Sequence, residues 1–166
     1  EEKIAALKNA GMASLLNECL IGLEKESLRV NDEGGISQES HTRELGSALT
    51  NPYITTDYSE ALLEFITPPL SSTLDALTIL EDTQRLVYSR LDHGFLWATS
   101  MPCVVAGESS MPLARYGSSN LGVMKTVYRR GLGYRYGRVM QVIAGMHFNY
   151  SYSNSFWERY KELSED

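Results

Sequence analysis

The sequence has 166 residues, 43% of them hydrophobic and 22% charged, and a formal net charge of −6. These values are ordinary for a single globular domain and exclude a disordered tail or a fibrous repeat. No uncharged apolar run is long enough to predict a membrane span, and the opening residues lack the apolar core of a secretory signal.

The hydrophobic pattern predicts both helices and strands, in an order that favours an α+β fold. The first half is predicted to contain one or two helices over 1–20 with a break at Gly11, a strand over 21–30, an irregular stretch that can include a short helix near 41–49, and a strand over 60–67. A helix follows over 71–94 and ends at Gly94, and an extended, mostly buried stretch covers 95–105. A helix or strand from 138 continues into an alternating strand over 146–153, and a terminal helix begins at 157.

The charges are distributed unevenly along the chain. Residues 1–108 carry a balance of −10, whereas residues 109–157 contain six bases and no Asp or Glu. A basic segment of this kind is typical of a surface that faces an anion. Arginines interleaved with tyrosines also fit a single-stranded nucleic-acid binder, but the acidic pI of about 5.1 and the lack of nucleic-acid motifs argue against that alternative.

The two cysteines, Cys19 and Cys103, do not form a disulfide framework. Neither lies in a C-x-x-C motif, so we expect both to be free thiols that act as small buried residues. That expectation places the protein in a reducing, cytoplasmic compartment.

Several acidic residues and one histidine fall on predicted strands. Glu24 and Glu26 share one face of the strand over 21–30, Glu64 interrupts an apolar run, and His147 shares a strand face with Asn149. For the glutamate pair the alternative is a solvated strand edge, and for the histidine a structural role. Together with Asp57, these side chains are the oxygen-rich set that Mg²⁺ prefers.

The basic segment supplies the opposite charge. Tyr128, Arg129, Arg130 and Arg138 would face the carboxylates, which is the layout of a phosphoryl-transfer site. No phosphate-binding P-loop is present, and GLGYRYG does not fit a dinucleotide-binding fingerprint. The residues alone therefore indicate a metal- and anion-binding α+β domain.

Six segments, in order, resemble one enzyme family. They are GLEKESLRV at 22–30, GSALTNPYITTDYSEALLEFITPP at 46–69, SMPC at 100–103, ARYGSSNLG at 114–122, KTVYRRGL at 125–132 and RYGRVMQVIAGMHFNYS at 135–151. They resemble glutamate–cysteine ligase of the gamma-proteobacterial type. The resemblance covers residues of about 20 to 157 and is far more specific than any single short motif.

The resemblance implies a glutamine synthetase-like catalytic fold, a curved antiparallel sheet with flanking helices, here incomplete. Residues 1–166 would form a single partial catalytic domain. The implied reaction uses ATP as co-substrate and Mg²⁺ as cofactor. It phosphorylates the γ-carboxylate of L-glutamate, and the amine of L-cysteine then attacks, the first step of glutathione synthesis. The implied partners are these small molecules, without nucleic acid or membrane.

The same resemblance assigns roles to individual residues. Arg129 would be catalytic, and Asn149 would bind near the glutamate and phosphate. The cysteine pocket would be formed by Tyr58, Tyr128, Leu132 and Gln141. The Mg²⁺ ligands would be Glu24, Glu26, Asp57, Glu64 and His147.

Two departures from the family are visible. Arg130 stands where the family usually has Glu, and the chain is much shorter than family members, whose later part supplies a further metal ligand and much of the ATP site. We therefore expect the chain to be inactive alone. The alternatives are a truncated or degenerate relative that only binds Mg²⁺ or an amino acid, and a chain completed by a second chain or by a missing C-terminal segment.

Overall fold

The computed structural model describes residues 2–165, which form a five-stranded sheet flanked by helices. The strands are β1 (Leu20–Val30), β2 (Ile54–Thr56), β3 (Leu62–Ile66), β4 (Phe95–Leu96) and β5 (Met146–Ser151). The α-helices are α1 (Glu2–Asn9), α2 (Thr73–Tyr88), α3 (Asn120–Tyr136) and α4 (Asn154–Glu165). Short 3₁₀ turns lie at Met12–Glu18, Arg43–Leu45, Glu108–Ser110 and Val139–Val142.

The long strand β1 is the centre of the sheet. It pairs antiparallel with β3 along one side and with β5 along the other, while β4 pairs with its last two residues and β2 extends the sheet beyond β3. All named strand pairs are antiparallel. The predicted fold class, an antiparallel sheet with flanking helices, is confirmed.

Each face of the sheet contributes to a separate hydrophobic core. On one face, Leu23 and Phe65 pack with Leu80 of α2. The opposite face carries Leu28 and Leu62, which are buried against the segments that lead into and out of α3. Both cores form because side chains alternate between faces along a strand.

The helices predicted over 1–20 and over 71–94 differ in how well their bounds agree with the structure. The break at Gly11 is correct, since this residue has a φ of 69° between α1 and the following 3₁₀ turn. The helix predicted over 71–94 ends instead at Tyr88. Gly94 has a φ of 80° and lies so close to the Val30 carbonyl that a Cβ atom would clash with it, so this glycine serves the turn into β4.

The structure differs from the sequence-based predictions at several further places. The stretch over 95–105 is not buried, because Phe95, Met101 and Val104 are all exposed and only Leu96 is buried. The short strand β2 and the helix α3 were not predicted. In place of a short helix near 41–49 the chain has only a 3₁₀ turn. Both cysteines are free, as predicted, but they are half-buried and not fully buried.

The strand β5 confirms the predicted alternation. His147 and Asn149 share one face, and Met146, Phe148 and Tyr150 share the other. All six residues of β5 are exposed, on both faces. The described part of the chain therefore covers neither side of this strand.

Within residues 2–165, no helix is both long and apolar enough to cross a membrane.

The N-terminus of α2 gives a first prediction. The Ser72 hydroxyl accepts a hydrogen bond from the Asp75 N–H at 3.2 Å, which satisfies a free donor of the first helical turn. We expect Ser72→Ala to lower the free energy of unfolding by about 1 kcal/mol. The neighbouring Ser71→Ala is the matched control and should have no effect in urea denaturation; equal effects of both variants would contradict the capping role.

Candidate functional site

Strand pairing brings four of the five predicted metal ligands onto one face of the sheet. Glu26 lies directly opposite Glu64 in β3, and Glu24 lies directly opposite His147 in β5. Directly opposed residues point to the same side of an antiparallel pair. We call these four residues, together with Asp57 at the end of β2, the acidic face.

Glu26 is held by the chain that enters β5. The Gly145 N–H donates to Glu26 Oε2 at 2.5 Å, and the Glu26 N–H donates to the Gly145 carbonyl at 2.9 Å. A Cβ atom at Gly145 would lie 2.6 Å from His147 Nε2 and 3.2 Å from Glu26 Oε2. A side chain at this position would therefore require the exposed His147 ring to move away from Gly145.

Glu24 and Asn149 form the outer part of the acidic face. Asn149 Nδ2 donates to Glu24 Oε1 at 2.7 Å across the β1–β5 pair. His147 and Asn149 are exposed, so this side of the acidic face is open to solvent. A ligand of Glu24 could therefore reach it without displacing the core.

Asp57 is linked to Arg129 of α3. Arg129 Nη2 lies 3.3 Å from Asp57 Oδ1, and Arg129 Nε donates to the Asp57 carbonyl at 2.5 Å. Only 14% of the Arg129 side chain is exposed. The guanidinium is thus a fixed positive charge at the edge of the acidic face.

Tyr116 supports both partners of this ion pair. Its single hydroxyl hydrogen lies between two acceptors, the Thr56 carbonyl at 2.6 Å and the Asp57 carbonyl at 2.7 Å from the oxygen. The Arg129 guanidinium lies 4.7 Å from the Tyr116 ring centre. Burial raises the pKa of Tyr116 to about 12, so the hydroxyl remains a donor. The sequence reasoning missed this residue, and only its place in the ARYGSSNLG segment gave a signal.

The carboxylates of the acidic face are not neutralised by the single arginine. Burial, followed by the charges of Asp57, Glu26 and Glu24, raises the pKa of Glu64 to about 7. Burial also raises the pKa of Glu26, against the opposing effect of the Gly145 N–H. A site with this excess of negative charge attracts cations.

The side chains are not preassembled as a closed metal cage. No group of three His, Cys, Asp or Glu residues within the described chain is positioned to hold a metal ion. Mg²⁺ does not require one, since it keeps several waters and commonly uses one or two carboxylates together with substrate phosphates. The donor types of the acidic face fit this manner of binding.

The residues predicted to form a cysteine pocket occupy different environments. Tyr58 is 1% exposed and packs in the core, with its hydroxyl against Gly133 of α3. Leu132 is partly buried beside the same core, and Gln141 is half-buried in the 3₁₀ turn before β5. Tyr128 is 59% exposed. Their role as substrate contacts stays a prediction.

The basic segment does not form one wall opposite the carboxylates. Arg129 faces Asp57, whereas Arg130 and Arg138 line another cavity together with Arg115. Successive helical residues point about 100° apart, which separates Arg130 from Arg129. The prediction that Arg130 and Arg138 face the carboxylates together with Arg129 is therefore wrong.

The raised pKa of Glu64 predicts a pH-dependent stability. Its folded-state pKa exceeds the ordinary value of 4.5, so its favourable contribution is complete below that value and is lost as the pH rises through about 7. In chelator, Glu64→Gln should therefore raise the free energy of unfolding. Because Glu64 is only partly buried, solvent screening limits the gain to about 1–2 kcal/mol near pH 8.

Urea denaturation at about pH 5 and about pH 8 checks this expectation. The control is Glu33→Gln, in the exposed turn after β1, which should not alter the pH dependence. A pH dependence of Glu64→Gln that matches the unsubstituted chain would show that Glu64 is not an unfavourable charge.

The fold and the acidic face define an α+β domain whose antiparallel sheet carries a cluster of carboxylates on one face. The sequence model of the glutamate–cysteine ligase family matches residues 4–166, so the chain belongs to that family. Glutamate–cysteine ligase of Alcanivorax borkumensis is 54% identical over the whole chain, and that of Pseudomonas putida is 55% identical over 148 residues, or 89% of the chain.

Two solved structures are also similar. A crystal structure of glutamate–cysteine ligase from Francisella tularensis in complex with AMP matches 89% of the chain and 30% of that protein, with 38% identity and a TM-score of 0.85. A crystal structure of a bifunctional glutathione synthetase from Pasteurella multocida matches 95% of the chain and 20% of that protein, with 29% identity and a TM-score of 0.78. The chain spans 32% and 28% of the length of the two curated relatives described above.

Proposed function

We propose that this chain supplies the metal-binding and glutamyl-phosphate half of a glutamate–cysteine ligase active site. The observation that carries the proposal is the register of β1, which aligns Glu26 with Glu64 and Glu24 with His147 on one face. Membership of the family supports the same reaction class. The products would be γ-glutamylcysteine, ADP and phosphate.

Glu24, Glu26, Asp57, Glu64 and His147 are the residues that would hold Mg²⁺. Their excess of negative charge, seen in the raised pKa of Glu64, supports this assignment. When bound, Mg²⁺ would screen the repulsion between the phosphate oxygens of ATP and the γ-carboxylate of glutamate. The hydrogen bond from Gly145 would keep Glu26 oriented before any cation arrives.

Arg129 would act directly on the transferred phosphoryl group. Its guanidinium is fixed by Asp57 and by the Tyr116 ring, so little conformational freedom would be lost when it binds an anion. A preorganised positive charge stabilises the charge on the phosphoryl oxygens in the transition state. Asn149, on the same face as Glu24, would donate its amide hydrogens to glutamate or phosphate.

Tyr58, Tyr128, Leu132 and Gln141 would form the cysteine pocket. Tyr58 and Leu132 contribute to one core beneath α3, which gives this pocket an apolar base. Gln141 would supply a polar group, and Tyr128 would close the pocket from the exposed side. This arrangement would place the cysteine amine near the activated γ-carboxyl carbon.

A hybrid enzyme tests the proposal. The chain replaces the matching N-terminal part of the Alcanivorax borkumensis relative, and γ-glutamylcysteine is measured with Mg²⁺, ATP, glutamate and cysteine. We expect the hybrid to turn over and the isolated chain to be inactive. A folded hybrid without activity would contradict the proposal, and robust turnover by the isolated chain would contradict the need for a further segment.

The second candidate function is binding without catalysis. The exposure of β5 on both faces favours a chain whose sheet is continued by other residues, either from a second chain or from a C-terminal segment. In that case the chain would bind Mg²⁺ or an amino acid, and its completed form would not catalyse the ligation. Calorimetric titration with Mg²⁺ and glutamate separates the two, since an inactive hybrid that still binds both ligands would support this candidate.

A further inference from the structure

Three arginines line one cavity away from the acidic face. The cavity has a volume of about 420 Å³, and Arg115, Arg130 and Arg138 lie in its wall. Its lining includes neither Arg129 nor any residue of the acidic face. We call it the arginine cavity.

The three guanidinium groups have no carboxylate partner. No ion pair in the described residues involves Arg115, Arg130 or Arg138. Arg138 Nη1 donates only to the Met111 carbonyl, at 3.2 Å. Elsewhere in the described chain, Arg29, Arg85, Arg90, Arg129 and Arg159 form ion pairs with acidic side chains, whereas Arg43 and Arg135 do not.

The one acidic residue of the cavity is already occupied by backbone groups. Glu60 is 6% exposed; Oε1 accepts the Arg115 N–H at 2.5 Å, and Oε2 accepts the His41 N–H at 2.7 Å. The carboxylate therefore fixes the two segments that form the cavity and does not pair with the guanidinium groups. Three positive charges and one negative charge leave the cavity with a net charge of +2.

We propose that the arginine cavity binds a small anion with at least two negative charges, through phosphate or carboxylate groups. Arginine presents paired N–H donors in a plane that matches the oxygens of both groups. The hydroxyl of Ser40 adds an uncharged hydrogen-bond donor to the wall, whereas the Gln38 amide already donates to the Ile36 and Ser110 carbonyls. The volume of about 420 Å³ accommodates an anion of the size of pyrophosphate or a tricarboxylate.

This site does not depend on the proposed ligase activity. It uses none of the residues assigned to Mg²⁺, glutamate or cysteine, and its central arginine, Arg130, is the position at which the chain departs from the usual family form.

Calorimetry of the chain with pyrophosphate and, separately, with citrate tests the proposal. The titrations contain chelator, so that an anion cannot bind through a divalent cation on the acidic face. The test variant is Arg130→Gln. The matched control is Arg135→Gln, which removes the same charge from the same helix but does not line the cavity. Thermal unfolding checks that both variants fold.

We expect saturable binding that Arg130→Gln weakens by about tenfold and Arg135→Gln leaves unchanged. Preference for pyrophosphate would assign a phosphate ligand, and preference for citrate a carboxylate ligand, both within the proposal. Equal weakening by the two variants would overturn it, because the effect would then reflect overall charge. Absence of saturable binding at millimolar anion would overturn it as well. Neither result would bear on Mg²⁺ binding by the acidic face.

Discussion

Replacing Arg129 by Gln in the hybrid ligase should lower its turnover by about 100- to 1,000-fold, the usual effect of losing one preorganised charge in a transition state. Arg129 is the arginine that lies beside the acidic face, 3.3 Å from Asp57 Oδ1. Its substitution leaves Glu24, Glu26 and Glu64 in place, but it removes both the charge that would meet the phosphoryl oxygens and the ion pair to Asp57. The turnover of Arg129→Lys should lie between that of the unsubstituted hybrid and that of Arg129→Gln, because lysine keeps the charge and loses the paired donors.

The matched control for this prediction is Arg135→Gln. Arg135 is exposed near the end of α3, where its guanidinium lies 5.5 Å from the Tyr136 ring centre. We expect this control to retain the turnover of the hybrid. The affinity for Mg²⁺ should change far less than turnover in Arg129→Gln. Unchanged turnover of a folded Arg129→Gln hybrid would contradict a direct role of this arginine in phosphoryl transfer.

The largest loss of stability is expected from Phe65→Ala, about 3–5 kcal/mol. Phe65 is fully buried between the sheet and α2, where it pairs with Lys25 in β1 and Ile54 in β2. Truncation leaves a cavity that the surrounding strands cannot fill, and it loosens β3, the strand that carries Glu64. A typical domain has a total stability of about 5–15 kcal/mol, so the variant would lose a large part of it.

Urea denaturation measures this loss. Phe65→Leu keeps much of the buried volume and should be considerably less costly. Leu74→Ala in α2 is the exposed control, since Leu74 is 72% exposed and its truncation should change the free energy of unfolding by less than about 0.5 kcal/mol. A Phe65→Ala cost as small as that of the control would contradict the packing described here.

Three of the strands that carry the acidic face, β1, β3 and β5, could be predicted, and in β5 the alternation is strict. In β1, Glu24 follows the buried Leu23, while Glu26 lies between Lys25 and Ser27. In β5, His147 alternates with Met146 and Phe148. What the alternation could not give was the register, which depends on contacts between distant parts of the chain. The pairing of Glu26 with Glu64 became visible only in the structure.

The helix α3 could not be predicted from its pattern. It contains glycine at positions 122, 131 and 133, which lowers its intrinsic helical preference, and its only buried residue is Gly122. Gly122 lies so close to the Tyr116 carbonyl that a Cβ atom would clash with it. Close packing of this helix therefore depends on small residues, and small residues leave no hydrophobic stripe in the sequence.

The placement of Arg129 and Arg130 at different sites could not be predicted either, because the helix α3 was not predicted. Arg129 and Arg130 are adjacent in sequence, and without a predicted helix their side chains could not be assigned to different directions. The end of α2 was also misplaced, because Gly94 resembles a helix stop and is instead required by the close approach of the Val30 carbonyl. In each case a contact between distant segments determines the local structure.

The central claim, that the acidic face binds a divalent cation, is tested most directly by Mn²⁺ as a paramagnetic substitute for Mg²⁺ in amide NMR spectra of the chain. We expect selective broadening at Glu24, Glu26, Glu64 and His147, reversed by excess Mg²⁺ and abolished in the double variant Glu26→Gln/Glu64→Gln. The exposed acidic pair Glu81 and Asp82 on α2 serves as the internal control. Broadening centred on that pair, or broadening of the acidic face that persists in the double variant, would contradict the assignment.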